Sequence, residues 1–307
     1  MTPLALTALL FGMDPSPVPA PPIPGYAAPY VPADCPPMAA PRWVPRSVVD
    51  EIRAKAAALK LAGKVPPGGP SYLYQPAFAE DFVIRGPARP YHVQPGDIVM
   101  AADTSRFWTL MHHLAGTSHP THSMIVFALP DGRPAILEAG PHDTVKCRIL
   151  EATPHMASYE TEGRVWVRRR KCPLTPWQSA RLTEFCLSVN CRDFALSRLA
   201  LQLTPLRTRG PVRTVFMGKP RGADLKGYFC SELVVEACVY AGLMDPATAR
   251  PSATYPRDLF FSGKLNPYLV RNMKAMDATW DPPARWTSCP ITPVVDDAGP
   301  VVPAAKP

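Results

Sequence analysis

Long apolar runs are missing from this chain. No segment reaches the roughly 18–20 consecutive apolar residues of a membrane-spanning helix, so no integral membrane segment is expected. A basic leader is missing too. Residues 3–13 are apolar and Val18-Pro19-Ala20 follows, but no Lys or Arg precedes Arg42. That weak likeness to a secretory signal lacks the charged n-region, which favours a cytoplasmic location over export. The cysteines, at 35, 147, 172, 186, 191, 230, 238 and 289, contain no CxxC pair and no regular framework. Cys186 and Cys191 stand too far apart for a zinc knuckle, and nothing in the pattern requires an oxidising compartment. The HExxH zinc motif is also absent.

Proline, by contrast, is abundant. There are 41 in 307 residues, and 13 of them fall within residues 1–45 and seven within 282–307. Proline has no N–H and a fixed φ, so both ends read as extended or disordered arms. The expected organisation is a Pro-rich arm at 1–45, an accessory helix and linker at 46–93, a main folded domain at 94–272 and a Pro-rich tail at 273–307. The formal charge is +8 with the basic residues spread out. The one dense run, Arg168-Arg169-Arg170-Lys171, follows Val165-Trp166-Val167 and reads as the solvated end of a strand. Its alternative is a patch for phosphate or an anionic polymer. Nothing else points to nucleic acid.

Within the middle region the pattern alternates between strands and helices. Residues 47–62 read as a helix capped by Ser47 and ended by Gly63 and the prolines beyond. Gln94-Pro95-Gly96-Asp97 is a turn into a strand at 98–101. Phe107, Leu110, Met111 and Leu114 predict a helix over 104–115. Residues 122–128 and 134–139 form a hairpin about 129–133, and 163–170 is another strand. Thr175, Pro176 and Gln178 start a helix at 175–189 with a capping box. Residues 192–203 can add a second helix, and 204–226 reads as a basic surface loop. A further helix runs from Cys230 to about Tyr240, with Gly242 ending it.

Chemistry is carried by a few residues. Cys230 sits at the first turn of its helix, where unpaired amides and the positive end of the helix dipole favour a thiolate. His122 heads a strand and is the candidate general base. Glu138, on the returning strand, is the candidate third member that orients the imidazole. The Cys230 amide is a natural oxyanion donor, and Tyr228 either adds a hydroxyl to the pocket or packs as an aromatic against the sheet. The simplest hairpin register pairs Leu129 with Pro134 and hence Ile125 with Glu138. That sets Glu138 on the opposite face from His122. A bulge or strong twist is then needed, or His142 or Asp143 takes its place. His112, His113, His119 and His122 raise a zinc alternative, but no acidic residue completes a ligand set. His92 and His155 read as ordinary loop residues, and Cys238 as a buried apolar filler.

Five short pieces, in order, resemble the permuted branch of the NlpC/P60 cysteine hydrolases of the papain-like superfamily. They are Pro95-Gly96-Asp97-Ile98-Val99, Thr121-His122-Ser123-Met124-Ile125-Val126, Ile136-Leu137-Glu138-Ala139, Tyr228-Phe229-Cys230-Ser231-Glu232-Leu233 and Tyr255-Pro256-Arg257-Asp258-Leu259. Ser123-Met124 departs from the small residues common after the family's histidine. The resemblance spans about residues 94–262. It implies an α+β fold, with a small antiparallel sheet or half-barrel packed on the cysteine-bearing helix. It also implies Cys230 as nucleophile, His122 as base, Glu138 as orienting residue, and no cofactor. Amide or ester hydrolysis follows, on a peptide, a cell-wall peptide or an acyl lipid. The alternatives are a lipid acyltransferase or thioesterase, or an inactive binding module that works through its Pro-rich arms.

Overall fold

The structure is a computed structural model. It describes residues 71–75, 77, 87–103, 109–110, 112–113, 117–130, 132–140, 145–200, 218–261 and 279–290. The expected helix at 47–62, His142 and Asp143 and most of the loop at 204–226 lie outside these residues. So do the arm at 1–45 and most of the tail. Of the helix expected at 104–115, residues 109–110 and 112–113 are described and helical, with Leu110 exposed rather than on a buried stripe.

In chain order the strands and helices are β1 (Tyr72–Tyr74), β2 (Ala88–Pro90), β3 (Ile98–Asp103), β4 (His122–Ala128), β5 (Pro134–Gly140), β6 (Lys146–Glu151), α1 (Ala152–Glu162), β7 (Gly163–Arg168), α2 (Pro176–Val189), β8 (Asp193–Phe194), α3 (Leu196–Ala200), β9 (Gly227–Tyr228), α4 (Cys230–Tyr240), α5 (Pro256–Phe261) and β10 (Ala284–Thr287). The strands join in one sheet in the order β2-β1-β10-β7-β3-β4-β5-β6-β8-β9. All described pairings are antiparallel except β8 with β9, so the fold is α+β with a mixed sheet.

Both faces of the central strands are covered, which is why β4 reads as a nearly unbroken apolar run. Ile98, Ile125, Phe127 and Leu137 face α2 and α4, meeting Leu182, Phe185, Leu233 and Val234. Val99, Met124, Val126 and Ile136 face α1, meeting Ala152, Met156 and Tyr159. The strand period of two sorts these side chains strictly between the layers. Helix α2 starts as its sequence requires: Gln178 N donates to Thr175 Oγ1 at 3.2 Å, and Thr175 N donates to Gln178 Oε1 at 3.0 Å.

The β4–β5 hairpin corrects the expected register by one residue. Ile125 pairs with Leu137 and Ala128 with Pro134. Leu129 N donates to Arg133 O at 2.9 Å and Gly132 N to Leu129 O at 2.8 Å, which closes a three-residue loop. Gly132 has φ +84, the left-handed position that such a loop assigns to glycine. This one-residue shift in register moves Glu138 onto the same face as His122. The left-handed Gly132 is the one-residue bulge of this loop type, so the bulge expected from the sequence sits at the turn and no substitute acid is needed.

The expected domain boundaries are also corrected. Residues 72–74 and 88–90 are strands of the same sheet, not linker, and β10 lies between β1 and β7. Trp286 pairs with Val165 and with Leu73. Trp280 is fully buried and its Nε1 donates to Gly96 O at 2.8 Å. The stretch around 279–290 therefore belongs to the core, although the sequence places it in a Pro-rich tail. The basic run secures it. Arg168 is buried and donates to the carbonyls of Asp281 and Leu259, each at 3.1 Å, and Arg170 stacks 4.6 Å over Trp280. Arg168 and Arg170 are thus structural ties, neither a solvated strand end nor an anion patch.

Asp97 anchors the turn into β3. Its carboxylate accepts from Tyr91 Oη at 2.6 Å, from Arg170 N at 2.7 Å and from Gln94 N at 3.3 Å. Burial nevertheless pushes its pKa up to about 7, against the lowering effect of those donors. The Pro95-Gly96-Asp97 piece is accordingly a structural staple.

Candidate active site

Helix α4 delivers Cys230. Phe229 is extended (φ −101, ψ 165), and the helical ladder opens with Leu233 N donating to Phe229 O at 2.9 Å. The amides of Cys230, Ser231 and Glu232 therefore precede the ladder and point out of the helix start. Three side chains hold that end in place. Glu232 accepts from Arg198 Nη2 at 2.7 Å and from Phe229 N at 3.4 Å. Glu236 accepts from Arg221 N and Gly222 N, each at 2.8 Å. Ser231 Oγ donates to Thr254 O. Cys230 is 9% exposed, whereas Cys238, two turns on, is wholly enclosed and burial pushes its thiol up to about 12. Cys238 is thus the inert filler its sequence position suggests.

His122 bridges the two layers of the fold. It is the first residue of β4, and its Nε2 lies 2.9 Å from Glu138 Oε2 on the α1 side of the sheet. The side chain of Cys230, which comes from the helix on the other side, stands near enough to act on its charge. Burial by itself would lower the imidazole pKa. The hydrogen bonds and charges of Cys230 and Glu138 outweigh it and raise the pKa to about 10. Burial works to raise Glu138 in turn, but His155 and His122 bring it far below the usual carboxylate range.

Two residues of this site were not anticipated. His155 and Tyr159 lie on α1, a helix absent from the sequence reading. His155 is not a loop residue: it is fully buried and its Nε2 lies 3.0 Å from Glu138 Oε2. Tyr159 Oη donates to the same oxygen at 3.3 Å, and its ring stacks 5.5 Å from that of His122 and edge-on to His155 at 5.0 Å. Ala152, Met156 and Tyr159, all buried at i, i+4 and i+7, were the available signal. Across the sheet Arg148 pairs with Glu138, but its guanidinium turns to Cys191 Sγ at 3.6 Å.

Tyr228 takes the packing role. It is fully buried, edge-on to Phe185 at 6.2 Å, and its hydroxyl donates to Gly222 O at 2.7 Å. That hydroxyl is not offered to a substrate, so the expected oxyanion contribution from Tyr228 is withdrawn. The amides at the start of α4 remain as donors. Beside the site, Arg257 donates to Ser118 Oγ, and Asp258 accepts from Tyr255 N at 2.8 Å to start α5. Among the described residues, no group of three or more His, Cys, Asp or Glu side chains is placed to hold a metal ion. No described helix is long and apolar enough to cross a membrane.

No family model and no curated protein matches the chain. Among solved structures it is similar to the crystal structure of metalloprotein yiiX from Escherichia coli O157:H7, DUF1105. The identity is 19% and the TM-score 0.34, covering 49% of this chain and 67% of that one.

Proposed function

We propose that the chain is a papain-like thiol hydrolase of the permuted NlpC/P60 kind. It cleaves an amide or ester bond through an acyl-enzyme on Cys230. The observation that carries this reading is His122, paired with Glu138 at 2.9 Å and close enough to Cys230 for the two to act on each other's charge. In the first step Cys230 Sγ attacks the substrate carbonyl carbon, and the carbonyl electron pair moves to oxygen. The amides at the start of α4 stabilise that oxyanion. Collapse of the intermediate expels the amine or alcohol, which takes its proton from His122. Water then attacks the thioester, His122 accepts the water's proton, and the acid leaves as the thiolate–imidazolium pair re-forms. Glu138 keeps the ring in the tautomer and orientation that both steps use.

The test is to incubate the full chain with a panel of activated esters and amides, peptidyl and fatty-acyl, and read the intact mass. The reading predicts an acyl adduct on Cys230 that turns over, is absent in Cys230→Ala and fails to form in His122→Ala. Adducts that are absent with every substrate, or that persist in Cys230→Ala, contradict it.

A further inference from the structure

The oxygen that holds His122 is met by two other polar groups as well. Glu138 Oε2 meets His122 Nε2 at 2.9 Å, His155 Nε2 at 3.0 Å and Tyr159 Oη at 3.3 Å. Both additional groups come from α1, at i and i+4 on one face of the helix. We propose that His155 is a positioning residue, which acts through Glu138 to fix the carboxylate in the orientation that receives His122. Its consequence for catalysis rests on the thiol-hydrolase reading above. The clamp itself rests only on the geometry.

A glutamate side chain ends in a broad, soft torsion, so nothing intrinsic keeps Oε2 aimed at His122. A buried carboxylate with a single donor is also poorly solvated. His155 answers both needs. It is itself fully buried, so its ring cannot swing out to water, and its Nε2 stands in polar contact with Oε2 at 3.0 Å. His155 and His122 together bring Glu138 below the usual carboxylate range, against the raising effect of burial. Tyr159 completes the arrangement, since one side chain bonds the carboxylate and stacks on the His122 ring. The groups facing the His122 imidazole are then Cys230 from α4, Glu138 from β5 and Tyr159 from α1. His155 stands behind Glu138.

The experiment compares the full chain as wild type, His155→Ala and His155→Gln, the last placing an amide N–H near the Nε2 position. Two readouts are taken. One is the imidazole N–H resonance of His122 in a ¹⁵N-histidine spectrum, a direct report on its bond to Glu138. The other is the alkylation rate of Cys230, also measured in Glu138→Gln with and without His155→Ala. The proposal predicts that His155→Ala loses the His122 resonance while backbone dispersion is retained, and that His155→Gln keeps it. Alkylation should fall roughly tenfold in His155→Ala, recover in His155→Gln, and show no further loss when His155→Ala is added to Glu138→Gln. A His122 resonance unchanged in a folded His155→Ala overturns the proposal. So does a loss that Gln fails to rescue. Ordinary alkylation of the wild type, with the resonance behaving as predicted, would overturn the hydrolase reading and leave the clamp standing.

Discussion

The imidazole of His122 lies over Gly140, where a Cβ on residue 140 would stand 3.3 Å from Cε1 and 3.8 Å from Nε2. Glu138, Cys230 and the stacked Tyr159 hold the ring from its other sides, so it has little room to yield. Gly140→Val is therefore expected to slow Cys230 acylation by roughly 10- to 100-fold through displacement of the ring. A parallel thermal melt should show a much smaller proportional change. An unchanged acylation rate would mean that the ring has slack.

Glu138→Gln keeps the shape but removes the charge. The loss in turnover is expected to be about 10²-fold or more, with weaker effects on substrate KM, because the carboxylate acts on the base rather than on the substrate. Steady-state kinetics with the substrate found in the acyl-enzyme screen check this.

The same pair sets a pH signature in stability. The folded pKa of His122 is raised from 6.5 to about 10. Its stabilisation is fully present below pH 6.5 and is lost as pH rises through about 10. Glu138 is depressed below its usual 4.5, so its stabilisation is present above that pH and lost as pH falls. The unfolding free-energy difference between wild type and His122→Ala should thus be largest between pH 4.5 and 6.5 and shrink toward pH 10. Urea titrations at a series of pH values check it, and a difference that grows with pH would reverse the assignment.

Tyr228→Phe separates packing from catalysis. Removing the hydroxyl leaves the buried Gly222 carbonyl short of its donor, at a cost of about 1–3 kcal/mol in stability. The acylation rate of Cys230 is expected to stay within about twofold, a spread of well under 1 kcal/mol in barrier. A large rate loss at unchanged stability would return Tyr228 to the oxyanion site.

Trp280→Ala tests the C-terminal segment. The substitution empties a fully buried site and deletes the bond to Gly96 O. A loss of about 3–5 kcal/mol in urea unfolding is expected. A chain ending at residue 272 should fare worse, because β1 and β7 would both lose the strand between them.

Much of the central layer was legible in the sequence because its signals are local. The β4 run, the capping box at Thr175 and the Cys230–Tyr240 helix each carry their own pattern. The parts that escaped depend on distant partners. Strand β10 lies among prolines and pairs with β7 across more than a hundred residues of sequence, as Trp286 with Val165 illustrates. Helix α1 follows β6 with no intervening loop, and its Ala-Thr-Pro-His start lacks the usual cap residue, since Glu151 in that position makes no side-chain cap. The cysteine, histidine and glutamate proposed for the site were singled out by their order along the chain. The face on which Glu138 stands was not, because one loop residue in the hairpin decides it. His155 was invisible for the same physical reason as α1: its role exists only once the helix is laid against β5.

The most direct test of the central claim is the alkylation rate of Cys230 by iodoacetamide as a function of pH, mapped by peptide mass spectrometry in wild type and His122→Ala. The account predicts rapid labelling well below about pH 8, the region of an ordinary thiol, and its loss in the mutant. Slow labelling with an ordinary thiol profile, the same in both proteins, would contradict it.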